Sequence, residues 1–148
     1  MLRFRDLGRG HTDRHGERYV TRQVNAAAPL SDLTIACDTY EAALMANDLD
    51  TLDALFWDTP QVLRYGVGEN LYGIDEIRTF RKGRTGGSPQ RQVIRREIVT
   101  FGDDMGICNL EFRREGSTRT GRQSQTWLRT EDGWRIVSAH VSLMAEVS

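Results

Sequence analysis

Lysine is nearly absent from this chain: of the 20 lysine and arginine residues, only Lys82 is lysine. A Schiff-base mechanism therefore has one candidate amine, set in the segment Arg81-Lys82-Gly83-Arg84. Cysteine is scarce as well. Cys37 and Cys108 are isolated from each other in sequence, which argues against a disulfide framework and fits a reducing cytoplasm. The three histidines, His11, His15 and His140, do not approach metal-ligand spacing with any cysteine or acidic cluster. His11 and His15 share a helical spacing but sit in a Gly/Arg-rich segment, so neither a metal site nor a cofactor is expected. The chain has no apolar run of about 18 residues and no signal-peptide core. Membrane and secreted locations are thus not expected, and the cytoplasm is. A formal net charge of −1 gives no electrostatic pull toward nucleic acid or an anionic membrane. Gly-x-Ser-x-Gly and a Ser-Lys dyad are also missing, so the conventional serine-amidase machinery is excluded.

What is present is one domain's worth of chain, 148 residues, preceded by an arm. Residues 1–27 are polar, Arg-rich and punctuated by glycine, without periodicity, and read as a flexible N-terminal arm. Residues 28–148 read as the folded domain. Pro29 opens a helix in which Leu33, Ala36, Cys37, Tyr40, Ala43 and Leu44 form one apolar stripe. Asp50 suits the N-cap of a second, short helix that Pro60 ends. Residues 62–66 read as a strand, 67–72 as a loop and 73–80 as the start of a third helix with Ile74, Ile77 and Phe80 on one side. From Gln90 the pattern becomes alternation, giving four long strands over 91–101, 105–114, 119–129 and 134–144. Three helices followed by an antiparallel meander predict an α+β fold, its helices packed on one face of a strongly curved antiparallel sheet.

The last two strands carry the most information. Thr130-Glu131-Asp132-Gly133 is a strong hairpin signal between alternating runs. Gln123, Gln125 and Trp127 fall on one face of the first strand, and Trp134, Ile136, Ser138 and His140 on one face of the second. Apolar and uncharged polar residues mix on both faces, as around a half-buried polar cavity. The ending Trp127, then Asp132-Gly133-Trp134-Arg135-Ile136-Val137-Ser138-Ala139-His140-Val141-Ser142, resembles the last hairpin of the SnoaL-like superfamily, a cone-shaped α+β fold shared with ketosteroid isomerases. That superfamily holds enzymes, binders and oligomerisation modules, so the resemblance speaks to fold more than to reaction.

From Leu33 to Glu146 the chain is more specifically similar to the AtzH-like branch. Leu52-Asp53-Ala54-Leu55-Phe56-Trp57, Arg64-Tyr65-Gly66, Glu69-Asn70-Leu71-Tyr72-Gly73-Ile74, 109–116 and Gln123-Ser124-Gln125-Thr126-Trp127 carry the likeness. It implies a small accessory enzyme of cyanuric acid or oxalurate breakdown, found beside an amidase of the amidase-signature type. The implied activity is cofactor-free hydrolysis of a carboxylated urea or ureido acid. Arg64 would hold a carboxylate through its planar fork, and Tyr40 would handle protons beside that cation. Trp57, Asn109, Glu111, Gln123 and Gln125 are the implied substrate-binding positions. Superposition on relatives would put Asn109 and Glu111 on one concave surface with Gln123 and Gln125, where Glu111 orients a water or neutralises Arg64.

The residues alone leave plainer readings open. A tyrosine on an apolar stripe belongs to the core before it belongs to a site. An arginine in an apolar strand is equally a structural ion pair. The face bearing Asn109, Glu111 and Arg113 is simply wet in many antiparallel sheets. His140 is a tempting base, but alternation sets it with Trp134 and Ile136 and opposite Val141, which favours packing or an interface. The competing function is a non-catalytic, dimeric binding module that accompanies an amidase. Either way a homodimer is expected on the outer sheet face, near His140 or Trp134.

Overall fold

The structure, a computed structural model, describes residues 22–146 and two short N-terminal strands, β1 (His11–Thr12) and β2 (Arg18–Tyr19), which pair with each other. Most of the expected arm, including His15, lies outside the described residues. Its described end, 22–26, is fastened to the sheet. Asn25 N–H donates to the Thr100 carbonyl at 3.0 Å, Thr100 N–H donates to Asn25 Oδ1 at 2.9 Å, and Arg22 pairs with Asp104 at 2.6 Å.

Helix α1 (Ala27–Ala46) takes Pro29 into its first turn, where a missing N–H costs no helical bond. Its buried stripe is Pro29, Leu33, Cys37, Tyr40 and Ala43, as the apolar spacing predicts. Asn47 closes it in the left-handed region at φ 52°. That reversal restarts the chain early, so α2 (Leu49–Leu55) is capped by Asp48, not by the expected Asp50. The Asp48 carboxylate accepts from Thr51 Oγ1 at 2.6 Å and Thr51 N–H at 3.2 Å. Next come β3 (Leu63–Tyr65), β4 (Asn70–Tyr72) and α3 (Ile74–Gly83), the last entered through Gly73 at φ 84°. β4, expected as loop, is only three residues long, too short for alternation to show.

The four long strands, β5 (Arg91–Phe101), β6 (Met105–Arg114), β7 (Thr120–Thr130) and β8 (Gly133–Leu143), lie within a residue of expectation. The six-stranded sheet runs β4-β3-β8-β7-β6-β5. It is mixed and not wholly antiparallel, because β3 returns beside β8 in parallel. A second correction concerns β8. Thr126 pairs with Ser138, but Trp127 pairs with Ile136, so Val137 is the extra residue of a bulge. Beyond it the alternation changes phase: Trp134 and Ile136 are buried together with Ala139 and Val141, while His140 faces outward. His140 meets the Tyr65 ring edge-on at 5.7 Å.

The core gathers between the helices and the inner face of β6, β7 and β8, with Leu33, Phe56, Phe112, Trp127 and Ile136 at 1% exposure or less. Gly121 is what lets β7 pass over the Phe112 ring, since a Cβ there would overlap the ring atoms. We predict that Gly121→Ala lowers stability by about 1–3 kcal/mol in urea unfolding, the usual range for overpacking. Combining it with Phe112→Leu should lose less than the sum of the two single changes. A Gly121→Ala midpoint equal to wild type would remove this account of the contact.

Asp48 yields a pH prediction. Hydrogen bonds from the Thr51 side chain, then its backbone N–H, hold the carboxyl below its ordinary 3.8. A depressed pKa stabilises the fold above the unfolded value, and the contribution is lost as pH falls through the folded one. Asp48→Ala should therefore lower the urea midpoint at neutral pH and converge on wild type in acid. Parallel midpoint curves across pH 3–7 would contradict it.

Candidate functional site

The site is built where α1, β3, α3 and the sheet converge. Tyr40, 4% exposed, comes from the middle of α1, its ring tilted against Phe56 at 6.3 Å. Arg64 comes from β3 and is part-buried. Its Nη1 donates to Glu69 Oε1 at 2.8 Å. Glu69 reaches it from the turn before β4, over Gly66, where any Cβ would overlap the carboxylate. Gly68 N–H holds the other oxygen at 3.2 Å. The partner of Arg64 is thus Glu69 and not Glu111.

Two adjoining clefts share Tyr40, Leu44, Arg64, Arg84 and Ser88. One, holding about 390 Å³ of empty space with its open mouth, extends between the three helices past Phe80 and Arg81. The other, about 330 Å³, extends toward the sheet past Arg91, Arg114, Gln123 and Val141. In both, most of that space lies at the open mouth, and the room between the side chains is water-sized.

The clefts are rich in guanidinium. Arg64 pairs with Glu69 at 2.8 Å, Arg81 with Asp53 at 2.7 Å and Arg91 with Glu41 at 2.7 Å. Arg84 donates to Ser88 Oγ at 3.0 Å, and neither it nor Arg114 has a carboxylate partner among the described residues. Burial, and then repulsion from Arg64 and Arg81, holds the pKa of Arg84 below the usual arginine value. Burial, and then Arg84 and Arg91, does the same to Arg114. Both still carry charge at neutral pH. Aromatic rings lie under these cations: the Phe80 centroid is 5.7 Å from the Arg64 guanidinium and 5.4 Å from that of Arg84, and the Phe112 centroid is 4.4 Å from that of Arg91. The arrangement can receive an anion out of bulk water, where a charge-assisted hydrogen bond is strongest.

Of the residues singled out in the sequence, Tyr40, Arg64 and Gln123 meet on these clefts. Asn109 and Glu111 do not. Asn109 is opposite Ser124 and Glu111 opposite Arg122, on the outer face, whereas Gln123 and Gln125 point inward opposite Leu110 and Cys108. Asn109 Oδ1 instead accepts from Ser124 Oγ at 2.6 Å. Gln125 is inward and buried but lines neither cleft; its Oε1 accepts from Trp127 Nε1 at 3.1 Å. Trp57 lies on a separate groove with Asp58, Arg78 and Asp132, because its N–H is tied to the Ile136 carbonyl at 2.9 Å at the exit of α2. Trp134, expected near an outer interface, is inward, carried there by the bulge.

Sequence reasoning missed Arg84, Arg91 and Arg114, together with Glu41 and Glu69. A signal existed for two of them. Arg114 is in phase with the inward residues Cys108, Leu110 and Phe112, and the register sets Arg91 directly opposite it.

A protein of unknown function from Pectobacterium atrosepticum, known from its crystal structure, is 52% identical to this chain, covering 82% of it and 95% of that chain, with a TM-score of 0.80. A cystatin-like fold protein from Burkholderia xenovorans is 40% identical, covering 85% of this chain and 99% of that one, with a TM-score of 0.81. Less similar NTF2-like structures share the fold alone. Among curated proteins, the bifunctional (p)ppGpp synthase/hydrolase SpoT of Escherichia coli is 25% identical over 108 residues, 73% of this chain and 15% of that protein. The match therefore spans a small part of that relative's length. The family model described as AtzH-like matches residues 22–147, and with this coverage the chain belongs to the AtzH-like family.

Proposed function

We propose that the protein is a small hydrolase, working without a resident cofactor, that cleaves a C–N bond of a carboxylated urea or ureido acid. The observation that carries this is the meeting of Tyr40 and Arg64, from separate elements, on one cleft with more guanidinium than carboxylate. Arg64, held in orientation by Glu69, presents the rest of its fork to the ligand's carboxylate. Water adds to the ureido carbonyl carbon, the C–N bond breaks, and the leaving nitrogen takes a proton. The Tyr40 hydroxyl is the group on the cleft suited to transfer that proton. An N-carboxylated product would then lose carbon dioxide on its own.

A second reading, a binding module that accompanies an amidase, is favoured by one feature. Ser88, on the cleft, is bonded to Arg84, and among the described residues no histidine lines either cleft, so none of them forms a nucleophile–base pair there. In both readings the outer face of the sheet, which exposes Ile94 and Leu128, is the surface proposed for a homodimer.

Release of ammonia or carbon dioxide from freshly generated dicarboxyurea, with oxalurate alongside, tests the hydrolase reading. Arg64→Ala should lower kcat/KM by about 100-fold, the scale of a lost charge-assisted bond. Tyr40→Phe should lower kcat by about 100-fold or more. Full activity in either variant would overturn that residue's role. A wild type that turns over neither compound but co-purifies with an amidase would favour the binding module.

A further inference from the structure

Gln123, on the cleft toward the sheet, is buried and incompletely bonded. It is 2% exposed, lines the cleft on the sheet side, and its Nε2 has no hydrogen-bond partner among the described residues. A buried amide donor left open is costly, so native structures keep such groups where something else completes them. Its orientation is set from behind. Arg91 donates Nε to Glu41 Oε1 at 2.9 Å and Nη2 to Glu41 Oε2 at 2.7 Å, and the same Nη2 donates to Gln123 Oε1 at 3.1 Å. A guanidinium has donors only, so Arg91 must face the amide oxygen and leave the –NH₂ for the cleft. Glu41 locks the fork with two bonds, and the Phe112 ring supports it at 4.4 Å. On the same cleft stand Arg84 and Arg114, the two cations without a carboxylate among the described residues.

We infer that Gln123 Nε2, with Arg84 and Arg114, forms a receiving subsite for an anionic oxygen of the ligand, separate from the carboxylate held at Arg64, and that Glu41 and Arg91 are positioning residues acting through Gln123. The subsite takes a carboxylate oxygen and discriminates against an amide or ammonium in its place, because the three groups that form it, Gln123 Nε2, Arg84 and Arg114, present donors only. This inference rests on the reading that the Tyr40–Arg64 cleft is the ligand site, but it does not require that the ligand be hydrolysed.

Titration calorimetry with malonate, succinate and glutarate, each against its half-amide, tests it without turnover. The best-fitting dicarboxylate should bind wild type about 10-fold or more tightly than its half-amide, the scale of one charge-assisted bond. Gln123→Glu, which turns the donor into an acceptor, should abolish that preference. Arg114→Gln should reduce it. Arg114 makes no ion pair among the described residues, so the substitution breaks none, and a thermal melt checks that the variant is folded. Glu41→Gln should weaken dicarboxylate binding in wild type yet add nothing in a Gln123→Met background; additive losses would make Glu41 merely structural and sink the positioning claim. Equal affinity for dicarboxylate and half-amide, or no binding of either, overturns the subsite. Dicarboxylate preference in a protein that hydrolyses nothing sinks the hydrolase reading instead, whereas hydrolysis of oxalurate without that preference sinks the subsite alone.

Discussion

The rest of the site depends on arginine held by carboxylates from neighbouring segments. Glu41–Arg91 ties α1 to β5, Asp53–Arg81 ties α2 to α3, and Glu69–Arg64 ties the β3–β4 turn to its own strand. Each guanidinium is largely out of water, with side-chain exposures of 5%, 10% and 13% respectively. Burial of this kind yields little net stability, because desolvation offsets most of the attraction. Its effect is geometric. Three planar forks are fixed in direction, and the phenylalanine rings beneath Arg81 and Arg91, at 4.6 and 4.4 Å, leave them little freedom to turn.

The regular parts of this architecture were legible because their signals are local. The α1 stripe through Leu33, Cys37, Tyr40 and Ala43 follows helical spacing, and the long strands are bounded by Gly102, Gly116 and Gly133, all at positive φ. What was not legible is set by contacts distant in sequence. Nothing in Leu63-Arg64-Tyr65 says that the strand will lie parallel to β8, since that partner is more than seventy residues away. The bulge at Val137 is also silent in sequence. It exists because the exit of α2 pins Phe56 and Trp57 against Ile136, which fixes the phase of β8 on that side, while Ala139 and Val141 obey the core on the other.

The same distinction governs the site. Alternation correctly separated Asn109, Glu111 and Arg113 from Cys108, Leu110 and Phe112, and Gln123 from Ser124. It could not say how the two strands face each other. That is a matter of register, and a slip of one residue exchanges every side chain between faces. The register pairs Leu110 with Gln123, so the glutamines join the apolar set and the asparagine and glutamate join the solvent. Asn109 and Glu111 thus lie on the outer face, Glu111 half-buried there. Conversely, Arg91 and Arg114 follow the inward phase of their strands, but an arginine at a strand end is ordinarily at the surface, and only the closing of the helices over that end encloses them.

Leaving Arg84 and Arg114 without carboxylates has a consequence for stability as well as for recognition. Like charges brought together at the mouth of a cleft destabilise the folded state, and the pKa values of both residues are depressed first by burial and then by that repulsion. Two further carboxylates would relieve it. They would also occupy the fork positions that an anionic ligand needs. The folded protein therefore keeps a positive deficit of counter-charge that only a bound anion removes, and an anion binding the native state alone raises its stability by mass action. Stability held back at the site is the ordinary cost of a preorganised electrostatic surface, and here it falls on the residues that the fold could most easily have neutralised.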